Sequence, residues 1–598
     1  MAKSRKRVGV LIGSVIAPYI RKALRGMYQA ANDLGVDIVV FAGSQLTYNF
    51  MDGGEIDRDH DLMNAITREH VSRNELNGMI IIYGSHTVDM SADERTKLLD
   101  SYSDIPYILI EEFSDRDNTG YIINDNYNSM RKVVEHLVTY HGYTRLLYVG
   151  GWDDNREAME RKRAFEDVLL ENDIPVKPEM MINGFFSEDC DAYVEELLDR
   201  NEKPEAIVCA NDLMAYAVYK VLNRRGMSVG NPRLNADAVA VTGYDDDVRA
   251  LSSDPPLTTI GQDFYYEGYR SVEDILALIR DGMIDGSIAP TTLLRRASCG
   301  CSYGKQHRYL PMNETERAQP EFYAVKVAEL MREEILISSV KDEIGDKIYD
   351  ILYEAIYKDT LVIGGYIKDT INSDTVVDQI RGLLDSPYGV YVSPNALMNA
   401  FSDYMSALIH DSGDQRTMIL LSDILVEGMK YLQNYMFNEE NVRTIKYETE
   451  ALQLSLISRN MSFVLDDEQQ MFRVALEKMD YADKSDIYIY LYDEPVTHTY
   501  GMDALRKAKL HLVAKKTADD CIVTYPRDER PGIDCEKNEL YYASENEEDK
   551  SSRYCFADIH HMDRIYGVIV SRMDGDDVMY ASLLAMHIGM ILSFLDHP

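Results

Sequence analysis

The chain has no stretch approaching the roughly 18 uninterrupted apolar residues of a membrane span. Its N-terminus, MAKSRKRVGVLIG, passes from a few basic residues straight into a strand pattern. It lacks the apolar run and small-residue cleavage site of a signal peptide. Positive charge is scarce: 62 Lys and Arg face 101 Asp and Glu, leaving a net charge of −39 over 598 residues. Such a balance repels nucleic-acid phosphates and anionic lipid, so the expected partners are not polyanions. Cysteine is sparse too. Seven scattered residues, an odd number, argue against a disulfide framework and for a reducing compartment. The expectation is a soluble cytoplasmic protein with no membrane contact.

Catalytic signatures are also missing. There is no P-loop, no kinase catalytic loop and no G-x-S-x-G nucleophile turn. Cys299-Gly300-Cys301 has no second Cys or His pair at zinc spacing nearby, so the two read as domain-end cysteines. His136 and His141 read as helix-end residues, and His560-His561 falls in a strand-like run. Gly53-Gly54-Glu55 resembles the start of a cyclase GGDEF signature but lies in an early loop. No enzyme, metal or cofactor is expected.

What the chain does contain is alternation. A chain of this length is expected to hold about three or four domains. From residue 7 to about 302, short apolar strands alternate with amphipathic helices, which predicts α/β architecture with doubly wound parallel sheets. The strands are Val8–Ile12, Asp37–Phe41, Gly78–Tyr83, Tyr107–Glu111, Arg145–Val149, Ala206–Cys209 and Ala238–Thr242. Gly35, Gly142 and Gly226 stand where helix C-caps are wanted. Two such sheets in series predict a two-lobed domain, with lobes at about 7–122 plus 263–289 and 123–262 plus 290–302. The stretch Val239–Phe264, VAVTGYDDDVRALSSDPPLTTIGQDF, is its most informative part. A strand breaks at Gly243, a carboxylate cluster follows at Asp245, Asp246 and Asp247, and Pro255-Pro256 leads an extended crossing to Gln262. The three Asp residues could simply cap a following helix. In an open α/β sheet, however, ligands gather at strand ends of this kind.

That stretch resembles the end of the sugar-binding core of lactose-repressor-type regulators, where a strand, G-[YF]-D-D and P-P-L-T-T-I-x-Q recur together. The likeness extends over VGVLIG with Pro18-Tyr19, IPYILIEE, INDNYNSMRKVVEHLVTYHGYTRLLYVGG, AIVCANDLMAYAVYKVLNRRG and SCGCSYG. It implies a periplasmic-binding-protein-like fold and a small polar, sugar-like ligand. A sugar requires carboxylates and amides for its hydroxyls, an Arg to fix orientation and an aromatic face. The candidates are Arg161, Asn211 (with Asp212), Asp245, Gln262 and Phe264, joined by Ser14, Tyr19 and Glu111. Arg163 is a rival to Arg161, because the Gly-aromatic pair expected three residues on is Ala164-Phe165 here. Repressors of this type carry a helix-turn-helix headpiece before the first strand. This chain begins at that strand, from which no direct DNA binding is expected.

Beyond residue 312, helical periodicity takes over at Glu321–Ser339, Asp342–Tyr357, Pro394–His410 and Gln415–Phe437, predicting an all-helical relay over 312–441. Residues 442–465 read as a connecting helix whose Leu454, Ile457, Met461 and Val464 form either a short coiled-coil seam, and hence a homodimer, or a face packed on its own domain. Residues 466–598 alternate helix and strand in an order that resembles an α+β GAF-like domain, without the Asn-Lys-x-Phe-x-Asp-Glu motif of its cyclic-nucleotide-binding members. The expected function is a non-catalytic sensor that passes lobe closure through the relay to a downstream output domain or protein. The alternatives are the sensory part of a diguanylate cyclase and a transcriptional regulator without its headpiece.

Overall fold

The computed structural model describes residues 5–13, 18–42, 67–301 (except 69, 73, 88, 89, 154, 202 and 248), 374–384, 397–398, 401–402, 405, 409, 415–465, 467–477, 486–496, 509–517, 522–533, 553–561, 564–572 and 578–596. They fall into two compact units. One comprises Met1–Ile123, Phe264–Ala289 and Arg443–Pro598; the other comprises Asn124–Asp263 and Pro290–Val442.

In the first unit, the runs VGVLI, DIVVF, GMIII and YILI are buried almost throughout, as parallel strands covered on both faces must be. They form β1 (Arg7–Ile12), β2 (Asp37–Ala42), β3 (Gly78–Ile82) and β4 (Tyr107–Ile110). With β5 (Thr119–Asn124) they make a parallel sheet in the order β5-β4-β3-β1-β2. Helices α1 (Pro18–Leu34), α2 (Tyr83–Thr87) and α3 (Ala92–Ser101) connect these strands. A capping box between Ser91 and Glu94 starts α3.

The second unit repeats the scheme. Its helices are α4 (Asn126–Glu135), α5 (Arg156–Glu171), α6 (Asp191–Arg200) and α7 (Asp212–Arg224). Its strands β6 (Leu146–Gly150), β7 (Met181–Asn183), β8 (Ala206–Cys209), β9 (Ser228–Val229) and β10 (Ala238–Thr242) pair in parallel as β7-β6-β8-β10-β9. An antiparallel pair, β11 (Thr259–Gln262) and β13 (Thr291–Leu294), completes it. Among the described residues, 249–258 form turns rather than a helix, so Asp245–Asp247 cap none there.

Between β11 and β13 the chain contributes α8 (Phe264–Asp281) and the edge strand β12 (Ser287–Ala289) to the first unit. There α8 packs on α1 with backbones touching. A Cβ at Gly268 would lie 1.8 Å from the Ala23 carbonyl oxygen, and one at Gly26 would lie 2.0 Å from that of Tyr265. Only glycine permits that approach.

The helical expectations at 321–357 lie outside the described residues. Described helices include α9 (Asp374–Leu384), which the sequence reading missed, and α10 (Gln415–Met461). The latter runs unbroken for 47 residues, through the expected division at 441/442 and the unit boundary after Val442. The coiled-coil seam is also corrected. Val464 lies beyond the helix end, and Ile457 and Met461 are buried within the chain's own fold.

The C-terminal part carries α11 (Glu468–Glu477) and strands β14 (Ile487–Val496), β15 (Leu510–Lys516), β16 (Ile522–Thr524), β17 (Gly532–Ile533), β18 (Arg553–His561) and β19 (Arg564–Arg572), closed by α12 (Val578–Asp596). These strands pair antiparallel with one another. They extend the first unit's sheet, because β18 pairs in parallel with β2 from Ile38↔Arg553 to Ala42↔Ala557. Phe556 packs on Phe41 at 5.3 Å, and a buried His70–Asp558 pair at 3.3 Å lies alongside. No helix among the described residues is long and apolar enough to cross a membrane.

Candidate functional site

The ends of β8 and β10 form the centre of the candidate site in the second unit. Asp212, the first residue of α7, is buried, and its carboxylate lies where any side chain at position 243 would stand: a Cβ at Gly243 would be 2.0 Å from Asp212 Oδ1. That carboxylate accepts from the Asp247 N–H at 2.7 Å and the Thr259 hydroxyl at 2.6 Å. Burial, reinforced by the charge of Asp245, raises its pKa well above the ordinary aspartate range. The loop is thereby pinned into an unusual backbone, with Asp245 at φ 115° and Asp246 at φ 55°. Such conformations persist only where the surroundings over-determine them, and they cluster at functional positions. Asp246 pairs with buried Arg296 at 2.7 Å, and Asp247 accepts from Tyr216 at 3.1 Å.

Asp245 faces inward on a different set. The Gln262 amide donates to its Oδ1 at 2.7 Å, and the Asn124 amide donates to Gln262 Oε1 at 2.6 Å. Arg161 Nη1 stands 3.9 Å from the same carboxylate, an ion pair without a hydrogen bond. Arg161 is itself buried and held by Asn126 Oδ1 (2.9 Å), the Ala210 carbonyl (2.7 Å) and Glu157 (3.2 Å). Its guanidinium stacks on the Tyr244 ring at 3.7 Å. Burial pushes the Asp245 carboxyl up to about 7; Arg161 opposes the shift and Glu157 adds to it. The result is a rigid arginine beside an aspartate that titrates near neutrality, with amides arranged around both.

An aromatic wall stands near this set. Phe185 and Phe186 both take positive φ, and Phe186 packs so tightly on Gly151 that a Cβ there would lie 2.3 Å from its ring. The Phe186 ring lies 5.8 Å from the Arg161 guanidinium carbon. Phe185 contacts the exposed Trp152 at 4.6 Å.

Of the residues singled out from sequence, the fold brings Arg161, Asp245 and Gln262 together. The rival Arg163 points to the surface beside Asp167. Asn211 is the N-cap of α7, accepting from the Met214 N–H at 2.9 Å, and its amide fixes the Phe186 carbonyl at 3.2 Å. Tyr19 and Phe264 meet in the first unit with ring centroids 5.2 Å apart. Glu111, also in that unit, takes φ 71°, and its carboxylate lies against Gly84. Ser14 lies outside the described residues. Sequence reasoning missed Asn124, Asn126, Glu157 and Tyr244. The i,i+4 spacing of Glu157 and Arg161 was a visible signal. It also separated His136 and His141 from Cys299 and Cys301, which the fold places together.

Residues 134–299 match the family model of the periplasmic binding protein-like domain. The chain thus carries a region similar to the periplasmic binding protein-like domain, within an α/β fold of parallel sheets. Among curated relatives, the HTH-type transcriptional repressor PurR of Aliivibrio fischeri is 28% identical over 187 residues, covering 31% of this chain and 53% of the repressor. The chain thus spans about half of that relative's length. PurR of Aliivibrio salmonicida is 22% identical over 277 residues, covering 46% of this chain and 75% of the repressor. Among solved structures, the transcriptional regulator CelR–cellobiose complex aligns with TM-score 0.40 and 21% identity, over 49% of this chain and 85% of that one. The two PurR relatives are, by name, transcriptional repressors. The expectation that the chain avoids DNA finds no support among the PurR relatives, which are by name HTH-type repressors.

Proposed function

We propose that this chain is the effector-sensing part of a cytoplasmic transcriptional regulator, with a small polar, hydroxyl-rich metabolite as its effector. The observation that carries this reading is the clamped Arg161 facing the strained Asp245. A buried guanidinium with three fixed partners and an aspartate raised to about 7 supply an oriented donor and an adjustable acceptor. Asn124, Asn126 and Gln262 add amides suited to hydroxyls, and Phe186 and Trp152 offer ring faces. The names of the PurR relatives support an output at the level of transcription. A homodimer fits the reading, because two-fold operators match two-fold proteins.

A thermal-shift screen of sugars, nucleosides and amino acids tests it. A binder should raise the melting temperature in a dose-dependent manner, and Arg161→Met should remove that shift. A screen without any hit, or a shift that survives Arg161→Met, overturns the assignment.

A second reading is favoured by the β2–β18 pairing. A sheet continuous from the periplasmic-binding-like strands into the C-terminal, GAF-like strands would transmit strain directly, toward an output domain or partner. Effector-dependent change in hydrogen exchange at Arg553–His561 would support this route, and its absence would exclude it.

A further inference from the structure

The end of α4 departs from α geometry. Over His136–Tyr140 it becomes a π turn, with the His141 N–H donating to the His136 carbonyl. In an α-helix, residues five apart point about 140° away from each other. The wider π turn brings them onto one face, and such turns recur at functional sites. Here it holds the His136 and His141 rings with centroids 4.8 Å apart.

The chain after β13 meets them. The short turn Ala297–Cys299 ends at Gly300 with φ 93°, and a Cβ at Gly300 would lie 2.7 Å from the Tyr143 hydroxyl oxygen. Only glycine fits, and it turns both flanking cysteines toward the histidines. Cys301 Sγ lies 3.3 Å from both His136 Nε2 and His141 Nε2, and Cys299 Sγ lies 3.5 Å from His136 Nε2. All four donor atoms fall within 4.8 Å of one another, and His136, Cys299 and Cys301 are buried. Zinc–sulfur and zinc–nitrogen bonds of about 2.3 and 2.0–2.1 Å give a tetrahedral S···N edge of about 3.5 Å. Three of the S···N distances already stand near that spacing.

We propose that His136, His141, Cys299 and Cys301 form a tetrahedral zinc site. Two thiolates and two imidazoles suit zinc by softness and geometry. Four protein donors leave no open position, so the site is structural: it ties the segment ending at Cys301 to the end of α4. On binding, the two thiols release their protons and form two zinc–sulfur bonds. Each imidazole gives its Nε2 lone pair while keeping its proton on Nδ1.

The test uses the full chain purified under reducing conditions and dialysed against metal-free buffer. Elemental analysis should find about one zinc per chain, as a closed four-ligand site requires. Replacement by cobalt should give thiolate charge-transfer absorption and the intense visible bands of a tetrahedral centre. The Cys299→Ser/Cys301→Ser double variant should lose both signals. His141→Ala removes the most exposed ligand and keeps the core, so it decides the matter if the double variant fails to fold. A strong chelator should lower the melting temperature of the wild type but not of His141→Ala. Wild-type protein that holds no zinc and gives no cobalt bands, or variants that retain both, would overturn the assignment.

Discussion

Asp245→Asn isolates the central carboxylate of the candidate site. The substitution keeps an oxygen to accept from Gln262 and removes the charge. Burial holds the folded-state pKa at about 7, against 3.8 as the ordinary value. Between those two values the folded chain binds a proton that the unfolded chain has released. Stability therefore falls as pH rises from about 4 to about 7, and the contribution is flat outside that window. In a fully dry site the difference would be worth about 4 kcal/mol. The side chain is 34% exposed, however, and screening by water reduces this to about 1–2 kcal/mol. At pH 8 the Asn variant should be the more stable protein by that amount, or about 2–3 °C in melting temperature for a unit of this size. At pH 4.5, near the lower end of that window, the gap should be smaller. Buried Asp212 titrates in the same direction, so a shallower slope should remain in the variant. Differential scanning calorimetry across pH 4.5–8 is the assay. Equal slopes in the two proteins, or an Asn variant less stable at pH 8, would refute the reasoning.

Other perturbations probe the frame. Gly268→Ala forces a Cβ onto the Ala23 carbonyl and should cost about 1–3 kcal/mol, read as a lower melting temperature of the first unit. Phe556→Ala empties the contact with Phe41 and should cost about 3–5 kcal/mol, with faster amide exchange in Asp37–Ala42 where β18 covers that edge. Asn211→Ala removes the α7 cap and the bond that holds the Phe186 carbonyl. It should cost about 0.5–2 kcal/mol and mobilise the Phe185-Phe186 turn in NMR relaxation.

The parallel strands were legible because burial on both faces leaves continuous apolar runs. Ala206–Cys209 and Ala238–Thr242 were read to the residue, whereas β5, with alternating burial in TGYIIN, was passed over. Gly243 and Asp245 were legible as a strand end. The packing of the Asp212 carboxylate on Gly243 was not, because it joins residues 31 positions apart in sequence. The expected division at 441/442 carries no helix break: FNEENVR contains charge but no Gly or Pro, and α10 runs through it. The β2–β18 pairing joins segments more than 500 residues apart and has no local signature. The four-donor cluster was overlooked for a geometric reason. A spacing rule built on α-helices and loops places His136 and His141 on different faces, and only the π turn reunites them.

The two polar sets of the second unit share one helix. Asn126, at the first position of α4, accepts from Arg161, while His136 and His141 stand at its far end, about 15 Å away by helix rise. Ser129, in the first turns of α4, hydrogen-bonds Thr291 of β13 at 2.5 Å, and β13 leads on to Cys299. Zinc joining the end of α4 to Cys299 and Cys301 would close a loop of rigid pieces running back to Arg161. An ion that orders this loop lowers the entropic cost of ordering Asn126 around an effector, so metal and effector should bind with positive coupling. Coupling between sites is commonly worth about 1–3 kcal/mol, or about 5- to 150-fold in affinity. Chelation should therefore weaken effector binding at least about 5-fold in calorimetry and speed amide exchange along Asn126–Glu135. By reciprocity, saturating effector should raise zinc affinity, read at equilibrium by chelator competition, by a similar factor. Equal effector affinity with and without zinc would show that α4 carries the two sites independently.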